Sequence, residues 1–176
     1  MVKFGIVCGS ILFSIFISCA KKDNLNVEFS TSGCFGTCPI LDVSIKENKV
    51  NYNVYDVNEN IIESFYIKLD ENEVNSIDEI WIGLNVDSLK TYYSNDIADG
   101  QRVKIKFKNQ NKEIFYLAGS APNQLEKFVD YFILLSQNKN HIGKTRDRKV
   151  SVSTRKNFSF KSPPLLPVPD DTLIQE

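Results

Sequence analysis

Residues 41–84, LDVSIKENKVNYNVYDVNENIIESFYIKLDENEVNSIDEIWIGL, carry two hydrophobic periods in succession, and the switch between them decides the fold class. Leu41, Val43 and Ile45 alternate with Asp42, Ser44 and Lys46. After Glu47-Asn48-Lys49 the alternation resumes as Val50, Tyr52 and Val54 against Asn51 and Asn53. Period two belongs to a strand with one buried face, because successive side chains point to opposite sides. A second polar turn, Asn58-Glu59-Asn60, leads into the run Ile61 to Leu69, so this half of the stretch predicts an antiparallel meander. At Asp70 the period lengthens. Asp70 is a good N-cap with acidic residues in the turn after it, and Val74, Ile77, Trp81 and Leu84 fall on one helical face.

Working outward, Asn26 to Ser30 reads as a short first strand. Val103, Ile105 and Phe107 alternate with Arg102, Lys104, Lys106 and Lys108, turn at Asn109-Gln110-Asn111 and return through Ile114 to Leu117. Pro122 suits the first position of a helix, and Leu125, Phe128, Val129, Phe132 and Leu135 recur at three- and four-residue spacing. The order β-β-β-β-α-β-β-α predicts an α+β fold of two layers, an antiparallel sheet with both amphipathic helices on one face. Trp81 and the Leu125 to Leu135 stripe are read as core. One domain over residues 26–137 is expected, since 176 residues leave little room for two. From Asn138 the periodicity stops and four of the six prolines crowd between Pro163 and Pro169, so 138–176 is read as a basic, then proline-rich flexible tail. A short strand at Val150 to Thr154 stays open.

The N-terminus gives an address. Lys3, the apolar run Phe4 to Ile17 and Ser18-Cys19 form a bacterial lipoprotein signal peptide. The run, about 14 residues, is shorter than the roughly 20 that span a bilayer as a helix. Phe16-Ile17-Ser18-Cys19 is similar to a lipobox, with Phe where Leu is usual. Residues 1–18 are expected to be removed, Cys19 to be acylated and residues 19–25 to tether the domain to the membrane, several acyl chains making the anchoring stable. The bacterial cell envelope follows as location, the outer membrane being favoured, with the side it faces open. Charge is divided: residues 19–137 hold 12 Lys and Arg against 18 Asp and Glu, whereas residues 138–176 hold 8 against 4. An acidic body on an exported chain argues against a nucleic-acid partner.

Gly33-Cys34-Phe35-Gly36-Thr37-Cys38-Pro39 is the one locally distinctive motif of the mature chain. Outside the cytoplasm, Cys34 and Cys38 are expected to pair as a disulfide. Gly36 permits the tight turn, and Pro39 sets the chain extended at the start of the next strand. A redox-active pair is the competing reading. Its context is poor, because a strand and not a helix N-terminus follows Cys38, and three residues separate the thiols. Metal binding fails on ligand count, His141 being the single histidine and lying in the tail.

The same motif resembles that of small bacterial lipoproteins carrying a domain of unknown function whose hallmark is Cys-Phe-Gly-x-Cys-Pro followed at once by a strand; residues 34 to 39 match it. The resemblance extends over roughly Val27 to Ser136, with Asp99 the best match for an Asp before the next strand. It implies an exported, lipid-anchored domain with no established reaction or ligand.

Catalytic equipment is sparse. With one histidine, triads and dyads would rest on His141, and G-x-S-x-G, H-E-x-x-H, phosphate-loop and G-x-G-x-x-G motifs do not occur. No cofactor, metal or catalytic residue is expected. Tyr92, Tyr93, Asp96 and Asp99, in the irregular segment 85–99, form a possible polar binding rim; solvated turn formation is the plainer reading of the acids. Arg102, Lys104, Lys106 and Lys108 lie on one strand face, read as the wet face with contact to anionic lipid or polysaccharide as the alternative. The leading expectation is a non-enzymatic envelope lipoprotein that binds or scaffolds another envelope protein or polymer. The runner-up is a thiol-disulfide exchange protein using Cys34 and Cys38.

Overall fold

The computed structural model describes residues 25–34, 36–94, 100–137, 143–144 and 150–155. The strands are β1 (Asn26–Thr31), β2 (Ile40–Lys46), β3 (Lys49–Tyr55) and β4 (Ile61–Lys68), then helix α1 (Glu71–Ile82), β5 (Tyr92–Tyr93), β6 (Arg102–Phe107), β7 (Lys112–Leu117), helix α2 (Asn123–Gln137) and β8 (Gly143–Lys144). They form one sheet in the order β5-β7-β6-β1-β2-β3-β4-β8. The two-residue β5 runs parallel to β7 and the other pairs are antiparallel, so the sheet is mixed. The expected α+β order is present, with the short strands β5 and β8 added at the edges.

Both helices cover one face. Val27, Phe29, Val43, Ile45, Val50, Tyr52, Ile105, Phe107 and Ile114 point from the sheet into this layer, where Ile77 of α1 and Leu125, Phe128 and Phe132 of α2 meet them. Phe132 packs on Phe29 with ring centroids 6.3 Å apart and edge-on to Phe128 at 5.2 Å. Trp81, half-buried, packs its indole against Phe107 and Phe128. The buried Tyr52 hydroxyl donates to the Phe132 carbonyl at 3.0 Å, tying the centre of the sheet to α2. A reciprocal cap starts α1: the Glu73 amide donates to the Asp70 carboxylate and the Asp70 amide to the Glu73 carboxylate, both at 2.8 Å. Pro122 stands one residue before α2, its carbonyl accepting from the Leu125 and Glu126 amides.

The opposite face departs from expectation at its centre. Glu28, Ser30, Asp42, Ser44, Asn51 and Asn53 occupy the polar positions of the alternating pattern, yet all are buried. Their partners across the strands place them in two adjoining rows. Lys104, Ser30, Asp42, Asn53 and Ser64 make one; Lys106, Glu28, Ser44, Asn51 and Tyr66 make the other. Buried polar groups need partners. Here part of the cover comes from the C-terminal stretch: Val150–Arg155 lies on the face, hydrogen bonded to it, with Val152 and Thr154 buried. These six residues fall inside the stretch expected to be a flexible tail; polar groups of the sheet hold them. The rest of residues 138–176, apart from Gly143–Lys144 on the edge of β4, lies outside the described residues.

Candidate functional site

The Cys34 and Cys38 sulfurs stand at disulfide distance, with Cα atoms 5.5 Å apart. Their loop leaves the sheet between β1 and β2. Gly36 has φ 139°, a value that side-chain-bearing residues rarely adopt, so a glycine is required inside the ring. Pro39 follows, and the chain enters β2 and not a helix. No helix dipole is therefore aimed at Cys38 to lower its thiolate pKa.

The base of this loop is clamped by side chains that periodicity could not single out. Thr31 Oγ1 donates to the Pro39 carbonyl at 2.8 Å and accepts from the Leu41 amide at 3.0 Å. Gln101 Nε2 donates to the carbonyls of Ser32 and Pro39, each at 2.9 Å. The Arg102 amide donates to Ser32 Oγ at 2.9 Å. Three segments are thereby locked together below the disulfide, independently of the S–S bond.

The polar face forms the second site, and its Asp42 end lies towards the cysteine loop. Glu28 accepts at Oε2 from the Ser151 amide (2.7 Å) and hydroxyl (2.6 Å), and its Oε1 pairs with Lys108 Nζ at 2.7 Å. Two residues along β1, Ser30 Oγ accepts from the Thr154 amide at 3.1 Å and shares a hydrogen bond with the Thr154 hydroxyl. Beyond it the Arg155 guanidinium pairs with Asp42 Oδ2, the two side chains being 11% and 5% exposed. The guanidinium also lies 3.6 Å from the centre of the Tyr55 ring, while the Tyr55 hydroxyl donates to the same Asp42 oxygen at 2.8 Å. The grip is one-sided: Asp42 Oδ1 and Arg155 Nη1 are buried without a hydrogen-bonding protein group.

The electrostatics follow from these contacts. Burial tends to raise the Glu28 pKa, but hydrogen bonds from Lys108 and Ser151, with the charge of Lys108, outweigh it and hold the carboxyl below its ordinary value. Burial is also the first cause at Tyr55, reinforced by its hydrogen bond to the Asp42 carboxylate. The phenol is pushed up to about 12, against a smaller opposing pull from Arg155.

Of the four expected rim residues, the structure describes Tyr92 and Tyr93. Tyr92 and Tyr93 form β5; the Tyr92 ring stacks on Phe115 with centroids 5.6 Å apart, and the Tyr93 hydroxyl accepts from the Lys90 amide at 2.8 Å. Asp96 and Asp99 lie outside the described residues, as do Cys19 and His141. The basic stripe is partly neutralised: Lys104 pairs with Glu113 at 2.8 Å and Lys108 with Glu28. Among the described residues no three of His, Cys, Asp and Glu are grouped to hold a metal ion, and no helix is long and apolar enough to cross a membrane.

Sequence reasoning passed over Glu28, Asp42, Tyr55 and Arg155. A signal was present: acidic side chains are unfavourable within central strands, and β1 and β2 each carry one. What they pair with, more than a hundred residues away, leaves no local trace.

The arrangement seats a short stretch of polypeptide by its amides, hydroxyls and one guanidinium. No curated protein matches this chain. A match to the family described as Domain of unknown function (DUF6438) covers residues 25–136, from the residue before β1 almost to the end of α2, and the chain belongs to that family.

Proposed function

We propose that this protein is a lipid-anchored lipoprotein of the bacterial cell envelope whose α+β domain binds or scaffolds another envelope component and catalyses no reaction. The observation that carries the binding part is the polar sheet face. Its buried carboxylates and hydroxyls grip a short, irregular segment of chain through backbone amides and a guanidinium, the chemistry of polypeptide recognition. The address rests on Lys3, the apolar run to Ile17 and Cys19. Cells given a labelled fatty acid should incorporate it into the protein, and Cys19→Ala should abolish both labelling and membrane retention. Crosslinking in whole cells should then recover a specific envelope partner. Recovery of none, together with loss of an enzymatic product in a deletion strain, would overturn the reading.

A second reading, thiol-disulfide exchange, is favoured by one observation: both cysteines are only half-buried, within reach of an attacking thiol. The reduction potential of the pair separates the two. A value below about −300 mV marks a structural bridge, and one near those of exchange catalysts supports redox function.

A further inference from the structure

The segment Val150–Arg155 lies beyond residues 25–136, whereas every sheet residue that holds it lies within them. The domain supplies the receptor groups and an appended stretch of chain fills them. We propose that the polar face is a binding site for a short, arginine-bearing peptide segment of a partner protein, and that Ser151–Arg155 occupies it in cis as a displaceable latch. The inference rests on the binding reading above and names the ligand chemistry of that site.

Three features of the contact point this way. Recognition is carried by groups an incoming peptide also has: two backbone amides, two hydroxyls and a guanidinium stacked on an aromatic ring. Apolar anchoring is slight, Val152 being the one buried hydrophobic side chain of the latch. The arginine grip is also incomplete, since Asp42 Oδ1 and Arg155 Nη1 are buried and unpaired. A guanidinium and a carboxylate can form two parallel N–H···O bonds, so an arginine free of the tether has a better geometry open to it. Charge agrees: the body is acidic and the site presents Asp42 and Glu28 to a basic segment. Occupancy in cis lowers apparent affinity for a competitor in proportion to the fraction of chains with the latch docked.

The test uses the full mature chain and a fluorescent peptide with the sequence of residues 149–156, KVSVSTRK. The Arg155→Ala chain should bind this peptide several-fold more tightly than the wild type, up to about sixfold, because its own latch competes less. Adding Asp42→Ala to Arg155→Ala should abolish the gain, and a peptide with Lys in place of Arg should bind more weakly, losing the planar fork. An Arg155→Ala chain with native circular dichroism and a cooperative melt that binds no peptide overturns the proposal. So does binding that Asp42→Ala leaves unchanged. Concentration-dependent dimerisation of the wild type with the peptide excluded also overturns it, assigning the latch to a second copy of this chain. If partner crosslinks persist in an Arg155→Ala chain that binds no peptide, only this inference falls and the broader binding reading stands.

Discussion

Arg155 and Asp42 should behave as a coupled pair whose loss frees the whole latch. The ion pair to a buried carboxylate contributes about 2–3 kcal/mol and the stacking of Arg155 on Tyr55 up to about 1 kcal/mol. The two bonds from Ser151 to charged Glu28 add about 3 kcal/mol, and burial of Val152 with the Thr154 contacts about 3 more. Against this total of about 8–10 kcal/mol, ordering six residues costs roughly 9 kcal/mol at about 1.5 kcal/mol each. Docking is marginal, so removing either member of the pair tips it. The undocked state gives Asp42 access to water, so the penalty is capped at the net docking free energy: Arg155→Ala and Asp42→Ala should each cost about 1 kcal/mol. The double variant should cost no more than either alone, a coupling of about 1 kcal/mol. Urea unfolding of the full chain, followed by the fluorescence of the single tryptophan, Trp81, measures all four corners of the cycle. Tryptic cutting after Arg148 or Lys149 should accelerate in all three variants. Additive losses in the double variant would refute the reasoning, since the two residues would then stabilise the fold separately.

Other outcomes follow from the same contacts. Cys34→Ser with Cys38→Ser should lower stability by at most about 2 kcal/mol, the chain-entropy value for so small a ring, and leave β1 and β2 paired because Thr31 and Gln101 hold the loop base; a thermal melt with amide exchange at Leu41 tests both parts. Glu28 has a lowered folded pKa, so its contribution is fully present above the ordinary carboxyl value near 4.5 and is lost as pH falls through the folded value. The Ser151 and Thr154 amide resonances should shift on that acid titration, and should not titrate in Glu28→Gln. Tyr55 has the opposite sign: its raised pKa favours the fold below the unfolded value of 10, a contribution that fades as pH climbs towards about 12, visible as a late phenolate step missing from Tyr55→Phe. Phe132→Ala, at a fully buried position touching Phe29 and Phe128, should cost about 3–5 kcal/mol in urea unfolding.

The strands and helices were legible because each reports on itself. Val50, Tyr52 and Val54 alternate with asparagines, and Leu125, Phe128 and Phe132 recur at helical spacing, whatever they meet in space. The polar half of that alternation was less informative. Ser30, Asp42 and Asn53 look alike whether water or protein covers them, and period two does not distinguish a wet face from a covered one. The latch gave a faint cue, Val150 and Val152 alternating with serines, but it is short and set among charges. Tyr92 and Tyr93 gave no strand signal, because their pairing with β7 across the intervening β6 strand's sequence is a tertiary event. The cysteine spacing was readable, whereas the Gln101 clamp beneath it depends on where β6 begins.

The position of β1 bears on how the chain reaches its native state. Its first strand is interior to the sheet, between β2, which follows at once, and β6, which comes late in the domain. The β1–β4 meander can assemble from near neighbours, but until the β6–β7 hairpin arrives one side of β1 offers unsatisfied amides and carbonyls to any strand nearby. That intermediate is an open template for misassociation between nascent chains. Variants that delay the β6–β7 hairpin should therefore aggregate while refolding even when their final stability is unchanged.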